Sequence, residues 1–213
     1  MASTFADMDK LVAHWNKAYQ KDKETLGWYQ SESSEILNLI DDLDLEPMLR
    51  IHITGAGRTT LVKSLISRSF QHLVLSDISD EALRLIQEEN QDTALTLIHD
   101  DLGDPLELMK QESFDLWIDR AVLHFLTEEK QVLNYFQALK DKTNAGAYVI
   151  LAQFNKNGAL KCSGLDVCQY DLAMYQQCLG SEFKLLKSFD FLYTNPNGDP
   201  RPYIYALFQK INS

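Results

Sequence analysis

Positive charge is scarce in this chain: 20 Lys plus Arg stand against 31 Asp plus Glu over 213 residues, a formal charge of -11. Such a field repels phosphate backbones and anionic membrane surfaces, and no run of four or more Lys/Arg overrides it locally. Nucleic acid and membrane surfaces are therefore not expected as partners. Long apolar runs are also missing. No window of about 18 apolar residues could span a bilayer, and the opening "MASTFADMDKLVAHW" has no charged-then-apolar signal pattern. A cytoplasmic protein is expected. Cysteine is sparse and odd in number: Cys162, Cys168 and Cys178 have neither C-x-x-C spacing nor a paired His tract. That argues against a disulfide framework and against a structural zinc site, so reduced thiols and no metal are expected. With 9 Gly, 5 Pro and no internal repeat, fibrous and low-complexity architectures are excluded as well.

What is present is an ordinary globular composition, 45% hydrophobic and 24% charged, in a chain long enough for one domain with a substantial core. A monomer is favoured. After a polar, helical lead-in (residues 4–22), "SESSEILNLIDDL" carries Ile36, Leu37, Leu39, Ile40 and Leu43 at helical spacing. Then strand and helix alternate. "MLRIHIT", "HLVLSDI", "ALTLIHD", "FDLWIDR" and "AGAYVILAQF" read as strands. Between them "RTTLVKSLISRS", "SDEALRLIQEEN" (Ser79 as N-cap) and "EEKQVLNYFQALKD" read as helices. Strands joined by helices of this length are parallel neighbours with right-handed crossovers. The last sixty residues change character, with two strand-like runs around "NPNGDP" that read as a hairpin. The expectation is a doubly wound α/β fold: a seven-stranded, mostly parallel sheet closed by a C-terminal antiparallel hairpin, a single domain over 1–213 with 1–45 as a helical lid. Ligand chemistry belongs at the carboxyl ends of strands one, two and four.

One stretch, "ITGAGRTTLVKSLI", invites three ligands. From Gly57 it has Walker A spacing, but Val62 stands at the second glycine, and β-branched residues disfavour the positive φ a phosphate loop requires. Leu61, Val62, Leu65 and Ile66 make an apolar helix face instead, leaving Lys63 on the outer side. From Gly55 it begins as a dinucleotide fingerprint, with Asp77 placed to hold a ribose, but Thr60 replaces the third glycine. An NAD-linked oxidoreductase is the reading that follows. The third ligand, S-adenosylmethionine, has no phosphate and needs only a close Gly-x-Gly backbone and an acidic hook for its ribose. Both are present.

"HWNKAYQ…LGWYQSE", "GAG", "LSDIS", "HDDL", "FDLWIDRAVLHFL" and "KCSGLDVCQYD" together resemble a bacterial family of class I S-adenosylmethionine-dependent methyltransferases, over nearly the whole chain. The resemblance implies a Rossmann-like methyltransferase fold, S-adenosyl-L-methionine as cofactor, and a small-molecule or protein methyl acceptor. It also implies a cofactor-binding set of Trp15, Tyr19, Trp28, Thr54, Gly55, Ala56, Gly57, Asp77, Ile78, Asp100, Asp101, Leu102, Asp119 and Arg120. It departs in one place. Two residues before the first glycine, where such families carry an acid, stands Ile53, flanked by His52, which alternation points the other way. A non-catalytic S-adenosylmethionine-binding protein is the corresponding alternative.

Methyl transfer from a sulfonium is an in-line displacement that needs alignment, exclusion of water and, for a protonated acceptor, a base. Asp119, an acid ending an apolar strand, and His124 are the catalytic candidates; the bland readings are an Asp119–Arg120 pair and a structural histidine. Asp100 and Asp101 compete to accept from the adenine amino group. Trp15, Tyr19, Trp28 and Tyr29 form either an aromatic lid or plain core. Cys162 and Ser163 read as pocket wall rather than nucleophiles, because no base is placed beside them by sequence.

Overall fold

The protein is described by a computed structural model over residues 5–211, with side chains from Met8 onward. Two helices come first, α1 (Phe5–Tyr19) and α2 (Ser34–Asp41). The alternating part follows as β1 (Arg50–Ile53), α3 (Leu61–Ser67), β2 (His72–Asp77), α4 (Asp80–Glu89), β3 (Thr96–His99), β4 (Phe114–Arg120), α5 (Glu129–Lys142) and β5 (Thr143–Phe154). A two-residue hairpin, β6 (Lys161–Cys162) and β7 (Leu165–Asp166), precedes α6 (Leu172–Leu179). The chain closes with β8 (Phe183–Thr194) and β9 (Pro200–Lys210).

Seven strands form one sheet in the order β3-β2-β1-β4-β5-β9-β8. The first five are parallel, whereas β9 runs antiparallel to β5 and β8 antiparallel to β9. This is the expected doubly wound fold with its terminal hairpin. The chain order reverses at β1, which lies between β2 and β4, and the crevice beyond such a reversal is where open α/β sheets bind ligands.

Strand alternation sends each side of the sheet into a separate core. Ile51 and Ile53 of β1 with Leu116 and Ile118 of β4 pack under α2 and α3, through Ile36, Leu39, Leu61 and Leu65. Phe114 and Trp117 of β4 with Val149 and Leu151 of β5 pack under α5 and α6, through Tyr135, Leu139, Tyr175 and Leu179. Helix α3 runs as its apolar pattern requires, with Leu61, Val62 and Leu65 inward and Lys63 exposed. A phosphate loop does not form.

Helix α1 does not join either core. Trp15, Ala18 and Tyr19 pack with Leu26 and with Ala82 of α4, over the strand ends. The Asn16 side chain fastens it, donating to Asp80 Oδ1 (2.6 Å) and accepting from the Ser79 hydroxyl (2.7 Å). Ser79 also caps α4, accepting from the Ala82 N–H.

Candidate functional site

At the end of β1 the chain turns through Gly55 and Gly57, both at positive φ (47° and 53°), a region L side chains rarely adopt. Space is short too: a Cβ on Gly55 would stand 2.3 Å from a Val122 methyl, and one on Gly57 would stand 2.5 Å from the Tyr19 hydroxyl. The loop is tied across the sheet, since Ala56 N–H donates to Ser76 O (2.9 Å) and Thr54 Oγ1 to Ile118 O (3.3 Å).

Asp77, ending β2, is buried beside this loop. One carboxylate oxygen accepts from Gly57 N–H and the other from Ser79 N–H, each at 2.8 Å. Burial pushes its pKa up to about 6, and those two N–H groups offset only part of the desolvation. The side chain therefore links the glycine turn to the start of α4 and retains lone pairs toward the cleft.

Beyond β3 the two neighbouring acids divide their work. Asp100 accepts from Leu106 N–H and Leu108 N–H with its two oxygens, so it fastens the following loop. Asp101 is engaged through Oδ1 alone, by Gly103 N–H at 2.8 Å. Asp101 thus keeps one oxygen without a protein partner among the described residues, whereas each oxygen of Asp100, like each of Asp77, already accepts one N–H. Desolvation raises the pKa of both.

These groups border two cavities that meet at Gly55, Trp28 and Arg120. The first is lined by Trp15, Tyr19, Asp77, Ile78, Asp100, Asp101, Leu102 and Phe125, among others. Its empty volume, including space open to solvent, is about 740 Å³. Trp15 makes edge contacts with Trp28 (5.5 Å between centroids) and Phe125 (4.9 Å), so the aromatic residues before β1 stand over this cleft while filling their own small core. The second cavity lies toward α2 and holds Gln30, Ile53, Thr54, Ala56, Arg58, Thr59 and Thr60.

Asp119 and His124 do not belong with them. Asp119 follows Trp117 on the α5 side of β4 and is fully buried, accepting from Tyr135 Oη (2.7 Å), Gln153 Nε2 (2.6 Å) and the Val122 N–H (3.2 Å). Its carboxylate shapes the turn after β4; it borders neither cavity and does not pair with Arg120. His124 is also fully buried, its ring stacked on Phe154 at 4.6 Å with neither nitrogen hydrogen-bonded. Desolvation drives its pKa down to about 3, so it stays neutral and out of reach of the cleft. The structure therefore brings neither of the two expected catalytic side chains, nor Asp119 as a binding group, to the lining of these cavities. His52 likewise points into the α5-side core, 2.9 Å from Ser76 Oγ and stacked on Phe114, and cannot stand in for an acid at position 53.

Arg120, one residue beyond Asp119 and therefore on the other face, is the charged group that reaches both cavities. At the rim next to it Ala121 holds φ +63°, a strained value for a side chain larger than hydrogen. Cys162 borders the first cavity, and burial pushes its thiol up to about 11, the opposite of nucleophile activation. Tertiary folding does bring a base near Ser163: His14 Nε2 lies 3.4 Å from its hydroxyl, a partner no spacing announced. Gln30, Arg58, Thr59 and Thr60 were also absent from the expected set. Gln30 lies within "LGWYQSE", and the others follow the glycine turn, where Walker spacing points to Lys63 and the dinucleotide fingerprint marks Thr60 only as a missing glycine.

Residues 54–194 match the family model described as a methyltransferase domain, which is well over half of the chain. The protein belongs to that family. The hydride-transfer reading of the glycine turn is set aside by this membership. Among solved structures, a SAM-dependent methyltransferase from Anabaena variabilis aligns with a TM-score of 0.77 at 16% identity, covering 95% of this chain and 94% of that one. The N-methyltransferase NodS from Bradyrhizobium japonicum, in complex with S-adenosyl-L-homocysteine, aligns at 0.72 and 10% identity, covering 94% and 98%. The 1,6-didemethyltoxoflavin-N1-methyltransferase of Burkholderia thailandensis aligns at 0.67 and 12% identity, covering 96% and 87%. At such identities the likeness is one of fold. No curated protein matches the sequence.

Proposed function

We propose that the protein is a class I S-adenosylmethionine-dependent methyltransferase of the bacterial group its motifs resemble, acting in the cytoplasm on a small molecule. The observation that carries this reading is the strand-end cleft: a buried Asp77 pinned by the glycine turn, Asp101 with one oxygen to offer, and Gly55 between two joined cavities. The cofactor, when bound, supplies an electrophilic methyl group. Asp77 accepts from the ribose hydroxyls, and Asp101 with Leu102 receives the adenine. Gly55 and Ala56 would lie against the sulfonium side, while Trp15, Tyr19 and Trp28, in the described part of the helical segment before β1, would exclude water; residues 1–4 of the expected lid lie outside the described residues.

The chain brings no imidazole to either cavity among its described residues. An acceptor that arrives with its own nucleophile, a thiolate or a neutral amine, suits such a cleft. A lid of this kind also favours a small acceptor over a protein side chain, and three free cysteines accord with a reducing compartment.

Titration calorimetry with S-adenosylmethionine and S-adenosylhomocysteine is the direct test. Binding of both is expected, and Asp77→Ala should weaken each by at least about tenfold, one charge-assisted hydrogen bond being worth about 1.5–3 kcal/mol. Silence from both ligands at millimolar concentration sinks the proposal.

A further inference from the structure

The second cavity has a charge pattern at odds with the rest of the molecule. In a chain of net charge -11, its lining contains three cations, Lys23, Arg58 and Arg120, and no carboxylate. Two of the three are already matched, since Lys23 and Arg58 share Glu89 (Nζ–Oε2 3.1 Å, Nε–Oε1 2.8 Å). Arg120 has no such partner. Its Nη1 donates to Trp28 O (3.0 Å) and its Nε to Tyr205 Oη (3.4 Å), while the guanidinium lies 5.2 Å from the ring centres of both Tyr193 and Tyr203. These rings hold the fork in place and favour its charged form. The remaining nitrogen, Nη2, is buried with no hydrogen-bond partner.

A buried guanidinium N–H left unpaired is costly, and native structures rarely keep one without a partner to receive it. The same cavity contains a second orphan of opposite kind, the buried Oε1 of Gln30, also without a partner. One unpaired cationic donor and one unpaired acceptor in a single cavity complement a group that carries a carboxylate and an ammonium together. The cavity opens at Gly55 onto the cleft assigned above to adenosine, so the amino-acid end of the same ligand would run into it.

Resting on the cofactor reading above, we infer that this cavity seats the amino-acid end of the cofactor, with its carboxylate on Arg120 and its ammonium on Gln30. Ile53 lines the same cavity. An acid at that position would face the guanidinium and occupy the fork that the ligand's carboxylate needs, so an apolar residue at position 53 and an unpartnered arginine at position 120 belong to one arrangement.

Three ligands separate the parts: S-adenosylhomocysteine, its decarboxylated analogue, and 5′-methylthioadenosine, which lacks the amino-acid end. Calorimetry on the wild type should show S-adenosylhomocysteine binding about 10- to 100-fold more tightly than either of the others, as expected for one charge-assisted contact. Arg120→Met should erase the preference over the decarboxylated analogue by weakening S-adenosylhomocysteine alone, and Arg120→Lys should restore part of it. Gln30→Leu should weaken S-adenosylhomocysteine and its decarboxylated analogue while leaving 5′-methylthioadenosine unchanged. The inference is overturned, with the cofactor reading intact, if the wild type binds 5′-methylthioadenosine as tightly as S-adenosylhomocysteine, a comparison that needs no variant to fold. It is also overturned if a folded Arg120→Met keeps the preference over the decarboxylated analogue or weakens all three ligands alike. Failure of every adenosine ligand to bind the wild type removes the cofactor reading and this inference together.

Discussion

Residue by residue, what decides a role here is which face of a strand a side chain leaves from. Asp119 and Arg120 are adjacent at the end of β4, yet Asp119 is consumed by Tyr135, Gln153 and backbone N–H groups while Arg120 enters both cavities. Asp77 differs from Asp119 in facing the cleft, and its carboxyl, raised to about 6 by burial, must be ionised to accept fully from ribose hydroxyls. Affinity for S-adenosylhomocysteine should therefore be level above about pH 6.5. Below about pH 6 it should fall, approaching tenfold per pH unit as the carboxylate is protonated. Calorimetry from pH 5 to 8 reads this directly, and Asp77→Ala should bind weakly with no inflection near 6.

At the scale of elements, the cleft depends on a helix that belongs to neither main core. Helix α1 rests on α4 through a small apolar cluster and through Asn16, which bridges Asp80 and Ser79. Asn16→Ala removes its side-chain hydrogen bonds to Asp80 and Ser79, at about 1 kcal/mol each, and a long one from Glu81 N–H (3.5 Å). Because α1 is only locally anchored, the loss should appear as faster amide exchange in α1 and several-fold weaker S-adenosylhomocysteine binding, with little change in global unfolding. Equal acceleration of exchange across β1 to β5 would show instead that α1 is part of the cooperative core. The Gly57 turn shares in this, since Tyr19 of α1 occupies the space a Cβ would take.

For the whole molecule, two buried neutral histidines, His52 stacked on Phe114 and His124 stacked on Phe154, work against the fold as the pH falls. His52 and His124 are each held at about 3 by burial, well below the ordinary value near 6.5. Unfolding lets them take up protons that the native state refuses, so their contribution to stability is whole above about pH 6.5 and declines as the pH falls toward 3. Each adds a slope of about 1.4 kcal/mol per pH unit in that window. Denaturant unfolding between pH 4 and 8 should show the slope shallower by that amount in His124→Phe. The variant should also retain S-adenosylhomocysteine affinity, because its ring packs on Phe154 and touches neither cavity.

The order of strands and helices, the terminal hairpin, the capping role of Ser79 and the ordinary helix carrying Lys63 were all legible in the chain. They depend on local periodicity and on turn chemistry, which a sequence displays directly. The glycine turn and Asp77 were legible too, because strand ends at a chain reversal are where such a fold gathers its ligands. Only the tertiary structure decided which acids and bases remain available. Asp119 and His124 are spent inside the protein by partners contributed from α5 and β5, and Arg120 is left without a counter-charge by tyrosines more than seventy residues away in β8 and β9. Hydrogen-bond partners and desolvation are properties of the packed interior, set by segments distant in sequence, and no spacing along the chain records them.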